Sequence, residues 1–249
     1  MLPPPTHHLG GDPAFFLDVD GTLLDIAASP DRVHVPGRVV RLLAGLQQRA
    51  VGALALVSGR AIADLDRLLH PLVLPCAGLH GAERRDAAGR FHGRRADEAL
   101  GAVRRGLADW VAAHPGTLLE DKGAALALHY RQAPAAEAAA RDAMAEALAR
   151  LGPRFALLEG KCVLELKPAG ASKAHAILAF MAEAPFAGRR PVFAGDDVTD
   201  EDGFRAVNDL GGLSVLVGQR SGTAARSAVD GVPGAIGWLE GFVTVGASA

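Results

Sequence analysis

Ten residues near the start of the chain constrain its fold more than any other stretch: Phe15-Phe16-Leu17-Asp18-Val19-Asp20-Gly21-Thr22-Leu23-Leu24. Three apolar residues run into two aspartates and a Gly-Thr turn. That is the pattern of a short buried strand ending in a polar loop. Asp18 and Asp20 are two positions apart, and on an extended backbone such side chains share one side. Two carboxylates so placed repel unless a cation lies between them or one keeps a proton. The arrangement suits a magnesium site beside a carboxylate nucleophile. Asp18, ionised at neutral pH, can attack phosphorus without a base to activate it. Asp20 can then protonate the leaving alcohol and later deprotonate a water. The plainer alternative is an Asp-rich turn without chemistry. A calcium loop is excluded, because its required Gly and closing Glu are absent from their places.

The chain then repeats the same grammar. Pro36 opens a helix that carries Val39, Val40, Leu42, Leu43 and Leu46 at helical spacing to about Arg49. Val51 to Val57 reads as a strand stopping at Ser58-Gly59-Arg60. A helix follows with Ile62, Leu65, Leu68 and Leu69 inward, and then a strand over Leu72 to Ala77. Alternating strands and helices predict a Rossmann-like parallel sheet covered on both faces. Ligands of such sheets gather at the carboxyl ends of the strands. Ser58 and Gly59 should therefore share an edge with Asp18, where a hydroxyl and a glycine amide can bind phosphate oxygens. Ser58, Gly59 and Arg60 are expected to bind substrate.

The pattern changes over Ala82 to Leu166, which reads as a separate α+β module of helix, hairpin, helix and hairpin. A small hairpin is expected around Arg85 to Phe91, and helices over Arg95 to Ala113 and Pro134 to Leu151. Strands are expected over Thr117 to Asp121, Ala124 to Arg131, Phe155 to Leu158 and Cys162 to Lys167. Alternation puts Leu126, Leu128 and Tyr130 on one face, with Leu164 and Leu166. The other face gathers Glu120, Lys122, His129, Arg131, Glu165 and Lys167. A solvated sheet face would look similar, but this mix of donors and acceptors also suits sugar hydroxyls.

The parallel pattern returns with Gly170-Ala171-Ser172-Lys173 opening a helix with Ile177, Leu178 and Met181 inward. Lys173, in the first turn, can reach a phosphate oxygen and Asp18. Pro191 to Gly195 is a strand ending in Asp196-Asp197-Val198-Thr199-Asp200-Glu201-Asp202. Asp196 can join Asp18 and the Asp20 carbonyl around a hard cation, and Asp200 can hold a metal-bound water. A helix from Glu201 to Val207, a strand from Leu213 to Val217 and a helix near Ala235 to Phe242 complete the sheet.

Composition excludes several classes. A net charge of −2 over 249 residues gives no reason to expect nucleic acid or an anionic membrane as partner. No apolar run approaches the roughly 18 residues of a membrane span. Met1 to Pro13 lacks a signal pattern and reads as a loose tail. Cys76 and Cys162 form no motif and read as reduced core residues, which points to a cytoplasmic protein. Lys122, Lys161, Lys167 and Lys173 are the only lysines among 26 basic residues. A chain that otherwise uses Arg needs a compact ammonium where Lys remains.

Asp18/Asp20, Ser58, Lys173, and Asp196 with Asp200 stand in the order of the four motifs of haloacid-dehalogenase-like (HAD) phosphatases, and the chain resembles that superfamily from end to end. The resemblance implies that the insert is a cap domain (82–166) on a discontinuous core (1–81 and 167–249). More closely, the chain resembles the trehalose-6-phosphate phosphatase family. The residues that carry this are Leu17-Asp18-Val19-Asp20-Gly21-Thr22-Leu23, Val57-Ser58-Gly59-Arg60, Gly78-Leu79-His80-Gly81, Glu120-Asp121-Lys122, His129-Tyr130-Arg131, Gly160-Lys161-Cys162-Val163-Leu164-Glu165 and Gly195-Asp196 through Asp202. Lys173-Ala174 departs from the Lys-Gly usual there. This resemblance implies Mg2+-dependent hydrolysis of trehalose 6-phosphate, the last step of trehalose biosynthesis, through an aspartyl phosphate. Asp18, Asp20, Ser58 and Lys173 would be catalytic, and Asp18, Asp20, Asp196 and Asp200 would hold the metal. Glu120, Lys122 and Glu165 would bind glucose hydroxyls, beside His129 and Arg131. It also implies a monomer without a fused synthase domain, coupled in function to a trehalose-6-phosphate synthase. The rivals are a HAD phosphatase for another sugar phosphate and a catalytically silent sugar-phosphate sensor.

Overall fold

The computed structural model describes residues 2–26, 33–93, 98–160 and 162–244. The chain forms two compact units, one of residues 1–92 and 172–249, the other of residues 93–171. It opens with β1 (Pro13–Leu17), α1 (Gly37–Arg49), β2 (Leu54–Val57), α2 (Ile62–Leu69) and β3 (Cys76–Gly78). A 3-10 turn, Leu79–Gly81, leads into β4 (Glu83–Arg85) and β5 (Phe91–Gly93). The second unit holds α3 (Glu98–Ala112), β6 (Leu118–Asp121), β7 (Leu126–His129), α4 (Glu137–Leu151), β8 (Phe155–Gly160) and β9 (Val163–Pro168). The chain returns through α5 (Lys173–Met181), β10 (Arg190–Gly195), α6 (Glu201–Asp209), β11 (Leu213–Val217), β12 (Ser227–Val229) and α7 (Gly231–Thr244).

The first unit is built on an eight-stranded sheet in the order β12-β11-β10-β1-β2-β3-β4-β5. From β12 to β3 neighbouring strands are parallel. β1 lies at the centre, with β2 on one side and β10 on the other; the order reverses there, and a ligand site forms at such a switch point. Leu17 pairs with Leu56 and with Ala194, so the residues just after the three strands emerge together. Phe15, Phe16, Phe193 and Leu54 are fully buried, as expected of strands covered on both faces. In α5 the buried residues are Lys173, Ala176, Ile177 and Phe180, while Leu178, expected inward, is exposed.

Three further expectations change. The hairpin around Arg85 to Phe91 forms, but β4 pairs antiparallel with β3 and extends the core sheet. The units therefore divide near residues 92 and 171, not 81 and 167. Asp86 turns this hairpin: its carboxylate accepts from the Ala88 and Arg90 amides and pairs with Arg90 and His92. The segment expected as a loose tail is docked. The Pro3 carbonyl accepts from the Ala228 amide, Leu9 is buried, and the His7 ring lies 4.8 Å from Phe242. Finally, β12 adds an edge strand that Ser-Ala-Val does not announce.

The second unit is a four-stranded antiparallel sheet, β6-β7-β9-β8. Leu126, Leu128, Leu164 and Leu166 are fully buried with Leu100, Val103, Leu107 and Met144 of the two helices. β7 is shorter than expected and leaves Arg131 exposed in the following turn. Arg95 and Lys161 lie outside the described residues. Cys76 is buried and unpaired, and burial pushes its thiol up to about 12, so it is an inert core residue. No described helix is long and apolar enough to cross a membrane.

Candidate active site

The loops after β1, β2 and β10 and the first turn of α5 meet at one edge of the first unit. Asp18 is 5% exposed and its amide donates to the Ala194 carbonyl, so β10 fixes where it leaves the sheet. Lys173, 2% exposed, places its ammonium 2.8 Å from Asp18 Oδ1 and 2.6 Å from Asp200 Oδ1. Ser172 caps α5 by accepting from the His175 amide, which fixes the turn that presents Lys173.

Asp200 is fully buried, and its other oxygen accepts from the amides of Asp196 and Asp197. It thus ties the loop after β10 to Lys173. Both its oxygens are engaged with the protein, so Asp200 positions this loop and Lys173. Asp18, Asp196 and Asp200 offer oxygens all within 4.8 Å of one another.

Three carboxylates around one ammonium leave negative charge in excess. Burial, helped by Asp200 and Asp196, pushes the Asp18 carboxyl well up, against the pull of Lys173. Burial, with Asp200 next, pushes Asp196 up to about 6. For Lys173, desolvation alone would lower the value, but Asp18 and Asp200 outweigh it and hold the ammonium well above its ordinary range. A cation would relieve this excess, and the all-oxygen donor set suits a hard one such as Mg2+. The close approach of the two loops depends on Gly21. It has φ +82°, and a Cβ there would lie 2.1 Å from Asp196 Oδ2. A substitution at Gly21 would fill the cradle between Asp18 and Asp196.

In metal-free protein the folded state holds a proton on Asp196 up to about pH 6, whereas the unfolded state releases it near pH 4. Stability from this group therefore falls as pH rises from about 4 to 6 and stays low above that. Asp196→Asn is expected to stabilise chelated protein by about 3 kcal/mol at pH 7.5, with no gain at pH 4. Urea unfolding of both proteins at the two pH values reads this. An equal difference at both would remove the charge-excess argument.

Ser58 is 1% exposed and follows β2 on the sheet edge that Asp18 also leaves. Arg60 grips Asp20 with both arms, Nε to Oδ2 at 2.6 Å and Nη2 to Oδ1 at 2.7 Å. Thr22 was not singled out from sequence. It is fully buried, with its hydroxyl 3.4 Å from Asp18 and 3.5 Å from Asp196. A Thr behind an Asp-x-Asp-Gly was the available signal.

In the second unit, Glu120, Ala127 and Glu165 stand side by side across three strands. The two carboxylates thus flank a small residue on one face. Lys122 pairs with Glu165 at 2.9 Å, and His129 with Glu120 at 2.9 Å. Burial alone would raise Glu120, but His129 and Lys122 hold it below its usual value. The structure therefore brings together Glu120, Lys122, His129 and Glu165. Lys167 binds the Ala171 carbonyl, and Arg131 is exposed in the turn after β7.

A family model described as Trehalose-phosphatase matches residues 16–232. The chain belongs to the trehalose-phosphatase family. Membership makes it a phosphoric monoester hydrolase. The trehalose-6-phosphate phosphatase of Escherichia coli (strain K12) is 48% identical over 240 residues, covering 96% of this chain and 90% of that protein. A solved structure described as a trehalose-6-phosphate phosphatase related protein is similar at TM-score 0.80 and 28% identity, over 93% of this chain and 97% of that one. A phosphatase of the haloalkanoate (HAD) superfamily from Bacteroides thetaiotaomicron aligns at TM-score 0.64 and 19% identity, over 97% of this chain and 98% of that one. Trehalose-phosphatase family membership and a HAD-like fold thus stand beside the carboxylate cluster.

Proposed function

We propose that the protein hydrolyses trehalose 6-phosphate to trehalose and phosphate through an aspartyl phosphate on Asp18, with Mg2+ in the carboxylate cluster. The observation that carries this is the buried Asp18 paired with Lys173, two residues before Asp20 in its guanidinium grip. An Asp18 oxygen attacks phosphorus as the bond to the sugar oxygen breaks, and Asp20 gives that oxygen its proton. A water then attacks the phosphorus and passes its proton to Asp20, which frees Asp18. Ser58 and the Gly59 amide bind phosphate oxygens, and Lys173 offsets charge on Asp18 and the transferring group. Asp18, Asp196 and the Asp20 carbonyl would hold the metal, with Asp200 behind them. When bound, it supplies positive charge against the phosphoryl oxygens.

The face bearing Glu120, Lys122, His129 and Glu165 is proposed to bind the glucose hydroxyls, with Arg131 at its margin. The second unit then acts as a cap that sets substrate choice. A monomeric state, a cytoplasmic location and supply by a trehalose-6-phosphate synthase belong to the same proposal. Glu165→Ala removes a charge-assisted acceptor, so KM for trehalose 6-phosphate should rise about 10- to 100-fold. KM for 4-nitrophenyl phosphate, which has no sugar, should hardly move. Steady-state kinetics on both substrates test this, and equal effects on both would discard the sugar-binding role of this face.

A further inference from the structure

The Arg60–Asp20 pair asks what a guanidinium is doing on the residue that must both give and take a proton. Arg60 is only 11% exposed along its side chain, and both Asp20 oxygens accept from it. Its backbone is also held. The Arg60 carbonyl accepts from the Leu79 amide, and the Ser58 carbonyl accepts from the His80 amide. The Arg60 amide donates to Ser58 Oγ. Two residues on, the Ile62 amide donates to Glu83 Oε1 at 2.6 Å, which pins the start of α2 to β4. Gly78 makes room for this: a Cβ there would lie 2.7 Å from the Arg60 carbonyl and 2.6 Å from Glu83 Oε1. Leu79 and His80 take left-handed backbone, φ 51° and 55°, a conformation that persists only where the surroundings dictate it. The whole Gly78 to Glu83 segment is therefore shaped around the loop that carries Arg60.

Resting on the phosphatase reading above, we propose that Arg60 is the positioning residue of Asp20, seated by the Gly78–Glu83 segment, and not a contact of the substrate. With both oxygens accepting from Arg60, the Asp20 carboxylate is held in one orientation. As the phosphorus–oxygen bond to the sugar breaks, the proton on Asp20 passes to the departing oxygen and leaves the carboxylate in the two-armed grip. It holds the carboxylate in place until a water attacks the aspartyl phosphate and returns a proton to Asp20. Arg60 thus acts through Asp20.

The test uses leaving groups that differ in their need for a proton. Nitrophenolate departs without one, whereas a sugar alkoxide does not. Arg60→Met and Glu83→Ala are compared with wild type by rapid mixing and at steady state, and circular dichroism confirms that each is folded. Arg60→Met is expected to cut kcat on trehalose 6-phosphate about 100-fold or more. The first-turnover burst of nitrophenolate from 4-nitrophenyl phosphate should fall far less, followed by a slow steady state because Asp20 also serves the water step. Glu83→Ala, which leaves both side chains of the pair intact, should show the same split to a smaller degree. Equal losses in burst rate and sugar-phosphate turnover, with KM raised for both substrates, would make Arg60 a phosphate contact and overturn the proposal. An unchanged kcat would overturn it too. A wild-type protein that releases phosphate from neither substrate would instead remove the phosphatase reading itself.

Discussion

Asp18→Asn will leave a folded protein that binds sugar phosphate and turns it over about 10⁴-fold more slowly or worse. The amide keeps the shape of the carboxylate and its place against Lys173, but it cannot attack phosphorus. Stability should not suffer. Asp18 is one of three clustered carboxylates and is itself pushed up by burial, so removing its charge relieves repulsion in the metal-free protein. Calorimetric titration with trehalose 6-phosphate and a phosphate-release assay check the two halves. Near-normal turnover in this variant would mean that another group is the nucleophile.

Lys173→Met carries the largest stability effect. Its ammonium is bound directly to Asp18 and Asp200, deep in the cluster. Removing one partner of a buried charged cluster costs about 3–5 kcal/mol, because the remaining carboxylates stay buried and uncompensated. The loss should be greatest in chelator at pH 7.5 and should shrink at pH 5, where Asp196, with its value near 6, takes a proton. Magnesium should also reduce it, by binding the folded state. Activity should fall with it, since Asp18 then has no ammonium beside it. Thermal unfolding at both pH values, with and without magnesium, reads this. A variant as stable as wild type in chelator would show that the cluster keeps its protons without Lys173.

Much of this could be read from the chain because strand ends are local features. Three apolar residues before Asp18, and Pro191 to Ala194 before Gly195-Asp196, place both acidic loops on one edge once the sheet is parallel. The alternation Leu126–Leu128 and Leu164–Leu166 likewise fixed which face of the second sheet is buried. What escaped depends on pairings between distant residues. Nothing in Ser-Gly-Arg says that Arg60 turns to Asp20, forty residues earlier. Nothing in Asp-x-x-x-Asp says that Asp200 spends one oxygen on Lys173 and the other on two amides. The hairpin of β4 and β5 was assigned to the insert because antiparallel strands differ from what precedes them, yet β3 offered an open edge for them to extend. β12 is too short to carry periodicity. His7 could be placed only once Gly241 was known to leave space for its ring: a Cβ there would meet His7 Nε2 at 2.3 Å.

The most direct measurement is phosphate release from trehalose 6-phosphate, with magnesium and with chelator, beside glucose 6-phosphate and sucrose 6-phosphate. The expected result is release from trehalose 6-phosphate, dependent on magnesium, with little from the other two. Release confined to another sugar phosphate would contradict the reading of Glu120, Lys122 and Glu165 while keeping the chemistry of Asp18. Full release in chelator would contradict the metal, and no release from any of the three would contradict the central claim.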